Sequence, residues 1–113
     1  MPAIAALYNV PSNDAELAQW AFVNAAAHRD INRTIYNLTG VTLDEFLLDP
    51  FNPNDPGVWL DQHQVMHQQM DTILGIAGYD LLQVDFNNPQ ELAGWIYIHA
   101  NEHVQASNIL GIG

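Results

Sequence analysis

All three tryptophans and all five histidines of this chain fall on one spacing, Trp-x3-His-x3-His. It occurs at Trp59, His63 and His67, again at Trp95, His99 and His103, and in a looser copy at Trp20, Asn24 and His28. A spacing of four puts these side chains on one helix face, one turn apart. Imidazoles at i and i+4 on two helices supply four nitrogen donors, a set that suits tetrahedral zinc, or copper or nickel. The candidate ligands for such a site are His63, His67, His99 and His103. A second chemistry is open to the same residues. Neutral imidazoles both donate and accept, so a polar core of Asn24, His28, His63, His67, His99 and His103 meets its own hydrogen-bonding needs. In that reading no cofactor is required, and Trp20, Trp59 and Trp95 are packing anchors, apolar bodies with one N–H donor each. The polar core is the primary expectation and zinc the alternative.

Catalytic arrangements are scarce. His99-Ala-Asn-Glu102-His103 matches the inverted zincin pattern H-x-x-E-H, which needs a third protein ligand. Only ten residues follow His103, and none is Asp, Glu or His. Met66 stands where Glu102 would be repeated, and the neighbouring position of Glu102 points it off the histidine stripe. A ferritin-like dinuclear site needs more carboxylates than the helices offer. There is no cysteine nucleophile and no glycine-rich phosphate loop, and Ser12 and Ser107 lack the elbow of a hydrolase serine. The chain is expected not to be an enzyme.

The elements that carry these residues read as helices. Asn13 and Glu16 have capping-box spacing after Pro11, and Leu17, Ala21, Asn24, His28, Ile31, Ile35 and Leu38 follow at helical intervals up to Gly40. Thr42 and Glu45 repeat the box and open a short helix through Phe46, Leu47 and Leu48, stopped at Asp49-Pro50. After a loop over 50–57, Asp55 and Pro56 start a second long helix with the stripe Leu60, His63, His67, Met70, Leu74, ending at Gly75. Residues 76–88 connect, with an apolar patch (Tyr79, Leu81, Leu82, Val84, Phe86) that forms at most a short turn. Asn88, Pro89 and Glu91 start the last helix, whose stripe is Leu92, Ile96, His99, His103, Ala106 and Leu110, with Gly111 as its end. Residues 1–11, with Pro2 and Pro11, read as an extended N-terminal arm with Ile4, Leu7 and Val10 apolar.

The fold class is therefore all-α: a small helical bundle of three long helices plus one or two short ones, in a single domain over 12–113. Sequential helices in bundles tend to run antiparallel, which brings the histidine pairs to one height. Residues 59–76 and 95–112, offset by 36, agree at eight of eighteen positions. An internal duplication with units at about 52–76 and 88–112 accounts for this, and the first helix shares only its Trp and second His.

Charge narrows the partners. Thirteen Asp and Glu face two Arg and no Lys, a net charge of −11. That opposes direct nucleic-acid binding, which runs on Lys and Arg. No apolar window reaches bilayer length, so no membrane insertion is expected, and MPAIAALYNV lacks the features of a signal peptide.

The segments LYNVPSNDAELAQWAFVNAAAHRDIN, LDEFLLDPFNPNDPGVWLDQHQVMHQQM and GWIYIHANEHVQASNILGIG resemble a group of small acidic proteins encoded among the structural genes of tailed bacteriophages. The resemblance runs from Leu7 to Gly113. Its distinctive pieces are His28-Arg29, the Trp59–His67 run, the turn Leu74-Gly75-Ile76-Ala77-Gly78, and Trp95 through His103 with Gln105-Ala106-Ser107. It implies a non-catalytic virion component or assembly factor, at the head–tail junction or the tail. Its partners would be other phage structural proteins in a symmetric multi-copy assembly. Its location would be the virion, and the host cytoplasm during assembly. The resemblance brings no catalytic residue with it.

Overall fold

Asn13 opens the first helix by accepting the backbone N–H of Glu16 on its side-chain oxygen at 2.8 Å, while Glu16 reaches back to the Ser12 N–H at 3.0 Å. The computed structural model describes residues 4–44, 47–77 and 84–112. In it, helices α1 (Asp14–Thr39), α2 (Asp55–Leu74) and α3 (Pro89–Leu110) follow a short 3-10 turn at Ile4–Tyr8. Asn88 caps α3 by accepting the N–H groups of Gln90 and Glu91. The α2 start differs: Asp55 is its first residue, and the preceding Asn54 makes no side-chain cap. Gly40, Gly75 and Gly111 end the three helices in the left-handed conformation, which glycine adopts without a Cβ penalty. There is no strand among the described residues, and no helix there is long and apolar enough to cross a membrane.

The helices run parallel, not antiparallel. Trp20, Trp59 and Trp95 meet one another with centroids 5.6–6.1 Å apart. One turn on, the His63 and His99 rings lie 4.9 Å apart, and the Asn24 amide nitrogen is 3.4 Å from His63 Nε2. A further turn on, His28, His67 and His103 meet at 4.3–5.4 Å. The order is the same along every helix, so all three point the same way.

The apolar core says the same. Leu17, Leu60, Leu92 and Ile96, all from N-terminal halves, join Leu7 and the three tryptophans in one cluster. Ile31, Ile35, Met66, Met70 and Ala106 form a second at the other end. The histidines lie between these two dry clusters.

Parallel neighbours need connections that travel back along the helices, and the connections here are long enough. A twenty-residue helix such as α2 is about 30 Å long. Extended chain reaches about 3.3 Å per residue, so residues 40–54 and 75–88 each span that distance with room to spare. Their side chains mark the path. Leu43 packs into the far cluster and Leu48 into the near one; Ile76 packs into the far cluster while Val84 and Phe86 rest on the near one. Asn32 donates its amide to the Leu43 carbonyl at 3.3 Å and holds the first return in place.

Three further expectations change. Residues 41–44 and 47–49 are irregular, so the short helix opening at Thr42 does not form there; a chain retracing the helices cannot also spend these residues on helical rise. The N-terminal arm is not extended at Ile4–Tyr8 but coiled into the 3-10 turn, because Leu7 is buried in the near cluster. Leu38 is exposed at the end of α1, beyond the reach of the far cluster. The patch residues Tyr79, Leu81 and Leu82, and Glu45 and Phe46, lie outside the described residues.

Candidate metal centre

Each helix delivers its polar residues to the centre from the same stripe that carries its apolar ones. All five histidines and Asn24 are at most 2% exposed, so the whole cluster is dry. Two of the rings are backed by tryptophan: His63 stacks on Trp59 at 4.2 Å and 17°, and His99 on Trp95 at 4.8 Å and 13°. These stacks come from the i, i+4 spacing and fix the planes of both imidazoles.

The Nε2 atoms point inward. His28, His63 and His67 form a triangle of Nε2 atoms with edges of 3.1, 3.0 and 2.9 Å. His99 Nε2 is 3.3 Å from that of His63, and His103 Nε2 is 3.0 Å from that of His28. One donor nitrogen from each of His28, His63, His67 and His99 lies within 4.8 Å of the others, close enough together that the four could hold a metal ion. The sequence pointed to His63, His67, His99 and His103; the structure brings His28 into the group in place of His103, because α1 enters the centre on equal terms with α2 and α3.

A closed set of hydrogen bonds does not explain this triangle. Each Nε2 of a neutral imidazole is either a donor or an acceptor, never both. Among three nitrogens in mutual contact, two must share a role, so at least one edge always sets lone pair against lone pair or proton against proton. The outward nitrogens add to the cost: Nδ1 of His28, His63, His99 and His103 are buried with no hydrogen-bond partner among the described residues. The six residues expected in a polar core are buried together, and among the described residues their hydrogen bonds do not close on one another. A cation removes the conflict, since it accepts every lone pair at once. Tetrahedral ligands at the zinc–nitrogen distance of about 2.0–2.1 Å sit about 3.3 Å apart, within a few tenths of an ångström of the spacings in the triangle.

Electrostatics favour the ligating form. Burial holds His28, His63, His99 and His103 well below the ordinary imidazole range, and the neighbouring imidazoles add to the effect. Burial also takes His67 down to about 3. All five are therefore neutral near pH 7, with lone pairs available.

Two carboxylic acids join them. Glu102 is buried on α3, with Oε1 2.5 Å from His67 Nδ1. It does not point away from the centre, as its place beside the stripe suggested. Burial pushes Glu102 up to about 7 and Asp71, on α2, up to about 8; the Asp71 shift also reflects the Glu102 carboxyl beside it. No sequence pattern flagged Asp71. It lies one turn beyond His67, a spacing that extends the histidine face by one more residue.

Comparisons with protein-family models, with curated proteins and with solved structures gave no match.

Proposed function

We propose that this chain is a metal-binding helical protein in which a divalent ion of the zinc type, held by His28, His63, His67 and His99, fastens three parallel helices together. The observation that carries this reading is the triangle of inward Nε2 atoms, which hydrogen bonding cannot satisfy and a cation can. The ligands are all protein nitrogens in a dry interior, which is the character of a structural site rather than of a catalytic one with an open position. The role is accordingly non-catalytic. The duplicated Trp-x3-His-x3-His unit supplies two ligands on α2 and one on α3, and the looser copy on α1 supplies the fourth. Titration of metal-stripped protein with zinc, followed by calorimetry, is expected to saturate at one ion per chain. Replacing His63 and His67 together with alanine is expected to abolish that uptake; unchanged uptake would refute the ligand assignment.

A second reading concerns what the fastened helices do. Phe22, Leu38, Leu47, Phe51 and Tyr97 are exposed, apolar surface that a protein partner would cover. This favours the virion or assembly role implied by the resemblance to small acidic phage proteins, acting by protein–protein packing. Mass spectrometry of purified particles tests it: the chain at a fixed ratio to other structural proteins supports the role, and its absence removes the virion form of it.

A further inference from the structure

We infer that Glu102 is the positioning residue of the centre: its carboxylate accepts a hydrogen bond from the Nδ1–H of His67 and so leaves the His67 lone pair on Nε2, facing the other ligands. The inference rests on the metal-binding reading above and assigns one of its parts.

Among the described residues, His67 is the one histidine of the five whose Nδ1 has a partner. The contact is 2.5 Å long between two side chains that are 1% and 0% exposed. The Nδ1 atoms of His28, His63, His99 and His103 have none. An ionised Glu102 only accepts, so in that state the proton of this contact sits on Nδ1 and a neutral His67 carries its lone pair on Nε2. That nitrogen is a corner of the crowded triangle, 3.0 Å from His28 and 2.9 Å from His63. Glu102 therefore sets the tautomer of a ligand that touches two others. Because Glu102 belongs to α3 and His67 to α2, the same contact ties the two helices together at the height of the centre.

The surrounding positions sharpen the point. On each helix, the residue just before the last member of the Trp-x3-His-x3-His pattern is buried: Ala27 on α1, Met66 on α2, Glu102 on α3. Two of the three are apolar, as packing alone would have it. The third carries an ionisable group into a dry core, which is costly unless it has a partner. Asp71 completes the arrangement. Asp71 Oδ1 and Glu102 Oε2 are both buried without a conventional partner, and the two carboxyls interact.

Removing such a partner of a metal-bound histidine weakens affinity by about 10–100-fold. The test is cobalt(II) titration of the full-length chain and of Glu102→Gln and Glu102→Ala, read by affinity and by the visible spectrum of the bound ion. It is paired with nitrogen-15 NMR of the His67 ring in the metal-free chains. Glu102→Ala is expected to bind cobalt about 10–100-fold more weakly with an altered spectrum, and Glu102→Gln, which keeps a carbonyl acceptor, to fall between it and the parent. His67 in the parent is expected to carry its proton on Nδ1, and in Glu102→Ala to shift it toward Nε2. Glu102→Gln is close to isosteric, so it covers the case in which the alanine variant fails to fold. Parent-like affinity and spectra in both variants would overturn the inference, and so would a His67 proton on Nε2 in the parent. A parent chain that takes up no cobalt would overturn the metal reading itself, while the NMR experiment still reads the Glu102–His67 contact.

Discussion

The tryptophan layer and the histidine layers below it stand on the same three helices at the same spacing, yet they meet the demands of burial in opposite ways. Trp20, Trp59 and Trp95 pack edge to face in a near-equilateral triangle, with interplanar angles of 60–79°. Such contacts contribute about 0.5–1.5 kcal/mol per pair beyond the area they bury. The Trp20 indole also donates to the Leu7 carbonyl at 3.2 Å, which anchors the 3-10 turn. One and two turns away the imidazoles of His63, His28 and His67 form a tight triangle of Nε2 atoms, and there the contacts cannot all be favourable. A threefold meeting of apolar rings is complete in itself; a threefold meeting of imidazole nitrogens is not, and an ion at its centre is what the proposed function supplies.

The comparison breaks most visibly at the tryptophans. Trp59→Ala is expected to cost about 3–5 kcal/mol in urea unfolding, to a similar extent with and without zinc. A loss seen only in the zinc-loaded protein would mean that the tryptophan serves the centre rather than the core. The histidines should behave in the reverse sense. The double variant His63→Leu, His99→Leu is expected to be about 1–3 kcal/mol more stable than the metal-free parent, since apolar side chains of similar bulk relieve the unmet polar groups and leave the His67–Glu102 contact in place. It should gain nothing from zinc. A large loss of metal-free stability would instead show that the imidazoles hold the core together unaided.

Acid should act on the histidine layers and spare the tryptophans. The folded imidazoles lie below their ordinary value near 6.5, so the unfolded chain binds protons that the folded chain does not. Their contribution is whole above about pH 6.5 and is lost as pH falls below it. Asp71 and Glu102 work in the other direction. Raised to about 8 and about 7, they hold protons in the fold that the unfolded chain releases, so their contribution is present in acid and is lost as pH rises through those values. Five imidazoles outweigh two carboxyls on the acid side. Thermal unfolding of the metal-free protein from pH 5 to 9 should show a maximum near neutrality, with the steeper fall toward acid; a flat profile would contradict the burial of neutral histidines.

The smallest effects lie at the helix starts, remote from both layers. Asn13→Ala and Asn88→Ala each remove a side-chain cap and are expected to cost about 1 kcal/mol. Asn54→Ala removes no cap bond and should change the unfolding midpoint by much less. Equal costs at all three positions would show that the difference in capping is without consequence.

Much of this was legible in the sequence, because local signals carry it. Asn13 with Glu16, Asn88 with Pro89, and the three glycines mark helix ends through short-range hydrogen bonds and backbone preference. The i, i+4 spacing put the histidines on the buried faces. Helix direction was not legible, since it depends on where the returns at 40–54 and 75–88 travel, and short-range patterns do not encode that. His28 was undervalued as a ligand for the same reason: its closeness to His63 and His67 exists only once α1 runs parallel to α2. Glu102 was named but expected off the stripe, and Asp71 was missed, because their partnership is made across α3 and α2. A buried acid beside a histidine stripe, where its counterpart Met66 is apolar, was the one available sign.

The account stands on a metal ion at the meeting point of four imidazoles. The most direct measurement is the unfolding midpoint of metal-stripped protein against zinc concentration, with elemental analysis of the dialysed sample. The account predicts one zinc per chain and a midpoint that climbs with free zinc, reaching about 2.7 kcal/mol of added stability at one hundred times the dissociation constant. A dialysed sample holding no zinc, with a midpoint indifferent to its concentration, would contradict it.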